Sequence, residues 1–217
     1  MLNLDITTLI SRALTLVIAF TVHEFAHAWT ATMFGDDTPR INGRLTLNPI
    51  SHLDPMGSLL LLFAGFGWAK PVPVNPYVLN QRSRSALMLV SLAGPLSNLM
   101  LAVLAAIPFR LGLVSVVYAF APNEAILPTQ EQFLLEFIYI NLLLMLFNLI
   151  PISPLDGEKI LEFFLPPSLT KIFDTIRPYG PIILMVIIFV LPFMGVDVLG
   201  TLLYPPLNAM LSFLLGL

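Results

Sequence analysis

Across residues 6–34 the chain carries no charged side chain except Arg12 and Glu24, and apolar runs recur at 85–110, 132–150, 179–196 and 199–217. A helix of about 20 such residues crosses a bilayer, and in lipid only a helix or a closed barrel satisfies every backbone polar group. Runs this long and unalternating predict helices. Composition agrees: 11% of residues are charged and 57% hydrophobic, where a soluble domain carries roughly a quarter charged. The expected fold is an all-α multi-pass membrane bundle of about five to six transmembrane helices.

Between the first two long spans the pattern changes. Gly35-Asp36-Asp37-Thr38-Pro39 ends the first span with a turn. Residues 40–49 alternate with little helix signal, so a short strand or β-hairpin is expected there. The run 55–69 is apolar but broken by Gly57, Gly65 and Gly67, and Pro71, Pro73 and Pro76 keep the next segment extended and edge-like. Residues 111–129 are expected as an exterior connection, and 158–165 as a short interfacial helix stopped by Pro166-Pro167. No internal repeat or appended soluble module is visible. Residues 1–217 therefore read as one integral membrane domain, with a core of about 6–165 and two C-terminal spans within 179–217.

Positive charge orients the chain. If 55–69 dips in and returns as a re-entrant element, Arg40, Arg44, Lys70, Arg82, Arg84, Lys159, Lys171 and Arg177 share one side, 8 of the 10 basic residues. Only Arg12 and Arg110 remain. The positive-inside rule makes that side cytoplasmic and puts the N-terminus outside the cell membrane. The N-terminal residues lack the basic region of a signal peptide, so the first run reads as a retained span. No basic patch points to nucleic acid.

Chemistry enters with His23-Glu24-Phe25-Ala26-His27, which holds two of the three histidines inside the first span. Four residues apart on a helix, the imidazoles share a face about 6 Å apart along the axis and can close on one ion. Glu24 lies beside them, where a general base belongs. Nine residues from His27 to Asp36 place the pair about 13 Å below the interface. Cysteine is absent, so every ligand is nitrogen or oxygen.

Two histidines and a water leave a zinc site short of one ligand. Asp36, Asp37, Asp54, Asp156, Glu158, Glu162 and Asp174 are the acidic candidates toward the same side. Asp156 stands out, because Pro151 and Pro154 break the helix just before it and Gly157 permits close backbone approach. A broken helix lining a cavity can carry an intramembrane carboxylate.

With these residues the chain resembles the site-2 protease family of intramembrane zinc metalloproteases, in a compact form without a PDZ or CBS domain. The resemblance rests on 23–27, on 48–57 (NPISHLDPMG), on Ala93-Gly94-Pro95-Leu96-Ser97-Asn98, and on 148–157 (NLIPISPLDG). It implies one zinc ion per chain held by His23, His27 and Asp156, with Glu24 as catalytic base. It also implies substrate or oxyanion contacts from Asn148 and Asn98; His52 is a weaker candidate for such a contact, the alternative being that it anchors the loop beneath the site. The partners implied are the lipid bilayer and the transmembrane segment of a protein substrate. Glu158 departs from the second glycine that the family often has after Asp-Gly. The alternative is a membrane protein that binds or transports divalent metal without catalysis. Nothing in the residues indicates an oligomeric state.

Overall fold

The computed structural model describes residues 6–57, 60, 67–121 and 125–217. Among the described residues five helices are long and apolar enough to cross a membrane: α1 (Ile6–Met33), α4 (Ala86–Arg110), α6 (Gln130–Asn148), α8 (Pro167–Phe193) and α9 (Val198–Leu215). Short helices join them: α2 (Thr38–Ile41), α3 (Pro76–Arg82), α5 (Val116–Ala119) and α7 (Asp156–Phe164).

Local chemistry sets the boundaries. Thr129 and Gln132 form a reciprocal capping box that starts α6. Asn75 caps α3, whose first residue is Pro76. Pro166-Pro167 ends α7 as expected, but Pro167 also occupies the first position of α8, where its missing N–H costs nothing. The helix therefore begins well before residue 179. Inside α8 the ladder tightens at Arg177–Tyr179 and widens to a π-type stretch at Val186–Val190.

The expected hairpin is a correction. Among the described residues there is no strand; 40–49 holds the end of α2, a turn and an irregular stretch, followed by a 3-10 turn at Pro49–Ser51. Pro39 sits inside α2 and Asn48 caps the 3-10 turn, so local helix-start chemistry outweighed a short alternation that has no partner strand. Among the described residues strand-like pairing is confined to an isolated antiparallel bridge between Leu53 and Ala69. Most of 58–66, the interior of the expected re-entrant run, lies outside the described residues. Its two flanks meet, however: Lys70 N–H donates to His52 O at 2.8 Å, and the Arg44 guanidinium donates to Lys70 O.

Helix direction follows from end contacts. Arg12 pairs with Glu136 at 2.6 Å, bringing the starts of α1 and α6 together. Arg110, at the finish of α4, donates to the carbonyls of Phe213 and Leu214 at the finish of α9. Leu199 and Leu203, at the start of α9, pack with Ile150 and Leu155. So α1 and α6 run one way and α4 and α9 the other. Because α8 follows α7 and leads into α9, it links two elements that both begin at the Asp156 end. The main apolar core lies where Ala102, Ala106 and Phe109 of α4 meet Ile138 and Leu142 of α6 and Leu207 of α9.

Candidate metal centre

His23, Glu24 and His27 all lie buried on α1, because their helix face packs on α4 and α6 instead of lipid. After α6, the stretch through Pro151 and Pro154 turns the chain so that Asp156 opens α7 against the same face. The result is a tight triangle. His23 Nε2 and His27 Nε2 are 3.0 Å apart, and Asp156 Oδ2 lies 3.2 and 3.3 Å from them. Two glycines allow the approach. A Cβ on Gly94 would come within 2.4 Å of His27 Nε2 and 2.6 Å of His23 Cε1, and one on Gly157 within 2.3 Å of Leu149 O.

The surrounding hydrogen bonds fix where each imidazole proton sits. His27 Nδ1 is 2.7 Å from Val90 O, an acceptor only, so Nδ1 carries the proton. His23 is set by a longer chain. Asn141 Nδ2 donates to Phe137 O at 2.9 Å, which turns its Oδ1 toward Asn98. Asn98 Nδ2 donates to that oxygen at 3.0 Å, which leaves Asn98 Oδ1 facing His23 Nδ1 at 2.6 Å. One helix carbonyl thus dictates the orientation of both amides and the tautomer of the ring.

Both Nε2 lone pairs consequently point at each other and at a carboxylate oxygen. Three acceptors converging on one point repel one another unless a cation lies among them. The spacing suits zinc: ligands at 2.0–2.1 Å in a tetrahedron stand about 3.3 Å apart. Nitrogen and oxygen donors with the second imidazole nitrogen anchored are a metal site's ordinary arrangement. Among the described residues this trio is the one His/Asp/Glu group close enough to share an ion.

A cavity of about 440 Å³ opens on the trio. Its walls are mainly apolar, with Phe20, Val72, Val74, Leu144 and Phe147 among them. Glu24 lines it, and its Oε2 accepts the Val72 N–H at 3.1 Å. Asn148 lines it too, its amide donating to Leu144 O at 3.0 Å. The other two sequence candidates do not reach the cavity. Asn98 is fully buried behind His23, and His52 is fully buried in the loop, 2.7 Å from Thr46 O.

Two residues escaped the sequence reading. Asn141 sits inside an unbroken apolar run, and the one available signal was a lone amide within a lipid-length helix. Arg44 is also buried, its pKa lowered by burial and raised in part by the charge of Glu24. It holds the Lys70 carbonyl and so pins the extended 70–75 segment, which Asp36 secures again by accepting Asn75 N–H at 2.6 Å.

Comparison with known proteins gives a consistent result. The profile of peptidase family M50 matches residues 111–191. A Bacillus subtilis protein named "Putative zinc metalloprotease YwhC" is 46% identical over 197 residues, covering 90% of this chain and 85% of its own length. The "Putative zinc metalloprotease Rip2" proteins of Mycolicibacterium smegmatis and Mycobacterium tuberculosis H37Rv are each 34% identical, over 79% of this chain. The chain spans 64% and 63% of those two proteins. No solved structure matches. With that identity across most of both chains, the protein belongs to peptidase family M50, the site-2 protease family its motifs resemble.

Proposed function

We propose that the protein is an intramembrane zinc endopeptidase that hydrolyses a peptide bond within or next to the transmembrane segment of a partner membrane protein. The convergence of His23, His27 and Asp156 on one point, with Glu24 buried beside them in an apolar cavity, carries this reading. These three residues would hold the zinc. When bound, zinc supplies a Lewis acid that brings the pKa of water toward 7 and polarises a carbonyl.

The chain's own groups do the rest. Glu24 accepts the proton of the attacking water and returns it to the leaving amine. Its carboxylate is steadied by the Val72 N–H, so it is oriented before substrate arrives. Asn148, which also lines the cavity, meets the substrate carbonyl. Asn98 acts through His23 and not on the substrate, and His52 acts by holding the loop.

A helical substrate has its carbonyls hydrogen-bonded, so the scissile stretch must unwind. The segment Pro71–Val74, extended and lining the cavity, offers an edge for that stretch to join as an added strand. Segregation of eight basic residues toward the Asp156 end makes that end cytoplasmic, with the N-terminus outside.

Wild type and Glu24→Gln, reconstituted in liposomes with a single-span substrate, test the assignment. Equal zinc content is expected, with cleavage reduced on the order of 10²–10⁴-fold. Cleavage by the variant at the wild-type rate would refute it. For the edge, Val74→Pro is the cleaner probe, since Val72→Pro also removes the Glu24 contact. Unchanged cleavage by Val74→Pro would exclude strand addition there.

A further inference from the structure

A second cavity, of about 360 Å³, lies at the Asp156 end between the start of α4 and the α7–α8 corner. Arg84, Lys159 and Lys171 line it. Among the described residues no carboxylate lies within ion-pair distance of any of the three. The acid on its wall, Glu162, turns to Arg177 at 2.6 Å, a cation that also holds Glu158 at 2.5 Å and Asp174 at 3.2 Å. The cavity lining thus carries three cations to one carboxylate, an excess of positive charge, with the Arg84 guanidinium 5.9 Å over the Phe163 ring.

The helix beside it says what kind of anion fits. Leu169, Ile172 and Ile176 of α8 are 48%, 58% and 49% exposed, at a spacing that forms one stripe, and Phe164 of α7 is 69% exposed nearby. An apolar stripe turned away from the protein, beside basic residues at the end of a membrane bundle, marks Pro167–Ile176, the opening stretch of α8, as an interfacial segment bedded among lipids. An acidic peptide would use the cations and leave the stripe uncovered. A phospholipid uses both, phosphate in the pocket and acyl chains along the stripe.

We propose that Arg84, Lys159 and Lys171 form a binding site for the headgroup of an anionic phospholipid. Lys159 lines both cavities, and it lies on α7 three residues after Asp156. A headgroup in the second cavity thus grips the helix that presents the carboxylate of the metal centre. The proposal stands independently of the zinc assignment.

Native mass spectrometry of the full chain, offered phosphatidylglycerol and phosphatidylcholine in equal amounts, reads the site directly. Wild type is expected to retain phosphatidylglycerol preferentially. Each cation removed should cut the preference about fivefold, and Arg84→Gln/Lys171→Gln on the order of twentyfold. Arg40→Gln/Arg82→Gln removes the same charge from the same end outside the cavity and should cost less than about twofold. Should the double variant fail to fold, Lys171→Gln alone carries the test, with Lys171→Arg expected to restore the preference. Lys159 is left unchanged because it also lines the metal cavity. The proposal is overturned by an equal loss in the Arg40/Arg82 control, by displacement of the lipid with excess inorganic phosphate or an acidic peptide, or by no preference in wild type.

Discussion

In α1, α4 and α6 the polar side chains face inward and one another: His23, His27, Asn98 and Asn141 are buried, and each has a hydrogen-bond partner on another helix or on its own backbone. In α8 the charged groups lie between Lys171 and Arg177, where Arg177 gathers Glu158, Glu162 and Asp174, and the stretch beyond is apolar and mostly outward-facing, with Gly180 and Leu184 turned inward. Of the most apolar window in each helix, 39%, 39% and 33% is buried in α1, α4 and α6, against 11% in α8 and 22% in α9. In lipid, apolar burial drives no association, and fixed polar contacts and close packing do. The first trio is therefore a rigid frame. The α8 arm is held by one salt-bridge cluster and a small apolar patch of Ile150, Leu155, Leu184 and Leu203.

Substitutions can break this contrast, beginning with the frame. Asp156→Ala should remove zinc altogether, because two imidazoles alone leave the site a ligand short; zinc measured per chain after dialysis reports it, and full occupancy would contradict it. Gly94→Ala should come next. Within a helix this change ordinarily stabilises by about 1 kcal/mol, yet here the new methyl meets both imidazoles. Helical circular dichroism should hold or rise while zinc affinity collapses.

A smaller loss is expected from Asn141→Leu, which touches neither ligand. Cutting the chain that orients Asn98 should weaken zinc by roughly 10–100-fold, the usual cost of losing an outer hydrogen-bond partner. Zinc titration against a chelator measures this, and an unchanged affinity would show that the amide chain is packing alone. Smallest of all, Arg177→Ala should leave zinc in place. Glu158 would lose the partner that makes its burial tolerable, and because Arg177 is about a third exposed, the loss should be only about 1–2 kcal/mol. Hydrogen exchange should quicken over 167–193 and stay unchanged over 6–33; faster exchange in both would erase the distinction between frame and arm.

Much of the frame was legible in the sequence, because each of its signals is local. The histidine spacing needs only one helix, and Asp156 is marked by the prolines before it and the glycine after it. The long apolar runs located α1, α4 and α6 within a few residues. Other features depend on partners that sequence does not name. Residues 40–49 alternate like a strand, but Pro39 and Asn48-Pro49 impose helical turns. Pro167 reads equally as a stop for one helix and a start for the next. Glu158, unusual after Asp-Gly, makes sense only beside Arg177, which is distant in sequence. Asn98 was visible as a polar residue in a span, but its bond to His23, and the bond of Asn141 to it, exist only in three dimensions.

X-ray absorption at the zinc edge of the purified wild-type protein tests the central claim most directly. The account predicts one zinc per chain with two imidazole nitrogens at about 2.0–2.1 Å and oxygen ligands at about 2.0–2.2 Å, a spectrum that Glu24→Gln preserves and Asp156→Ala destroys. A spectrum that lacks either imidazole, or one that Asp156→Ala leaves unaltered, would contradict it.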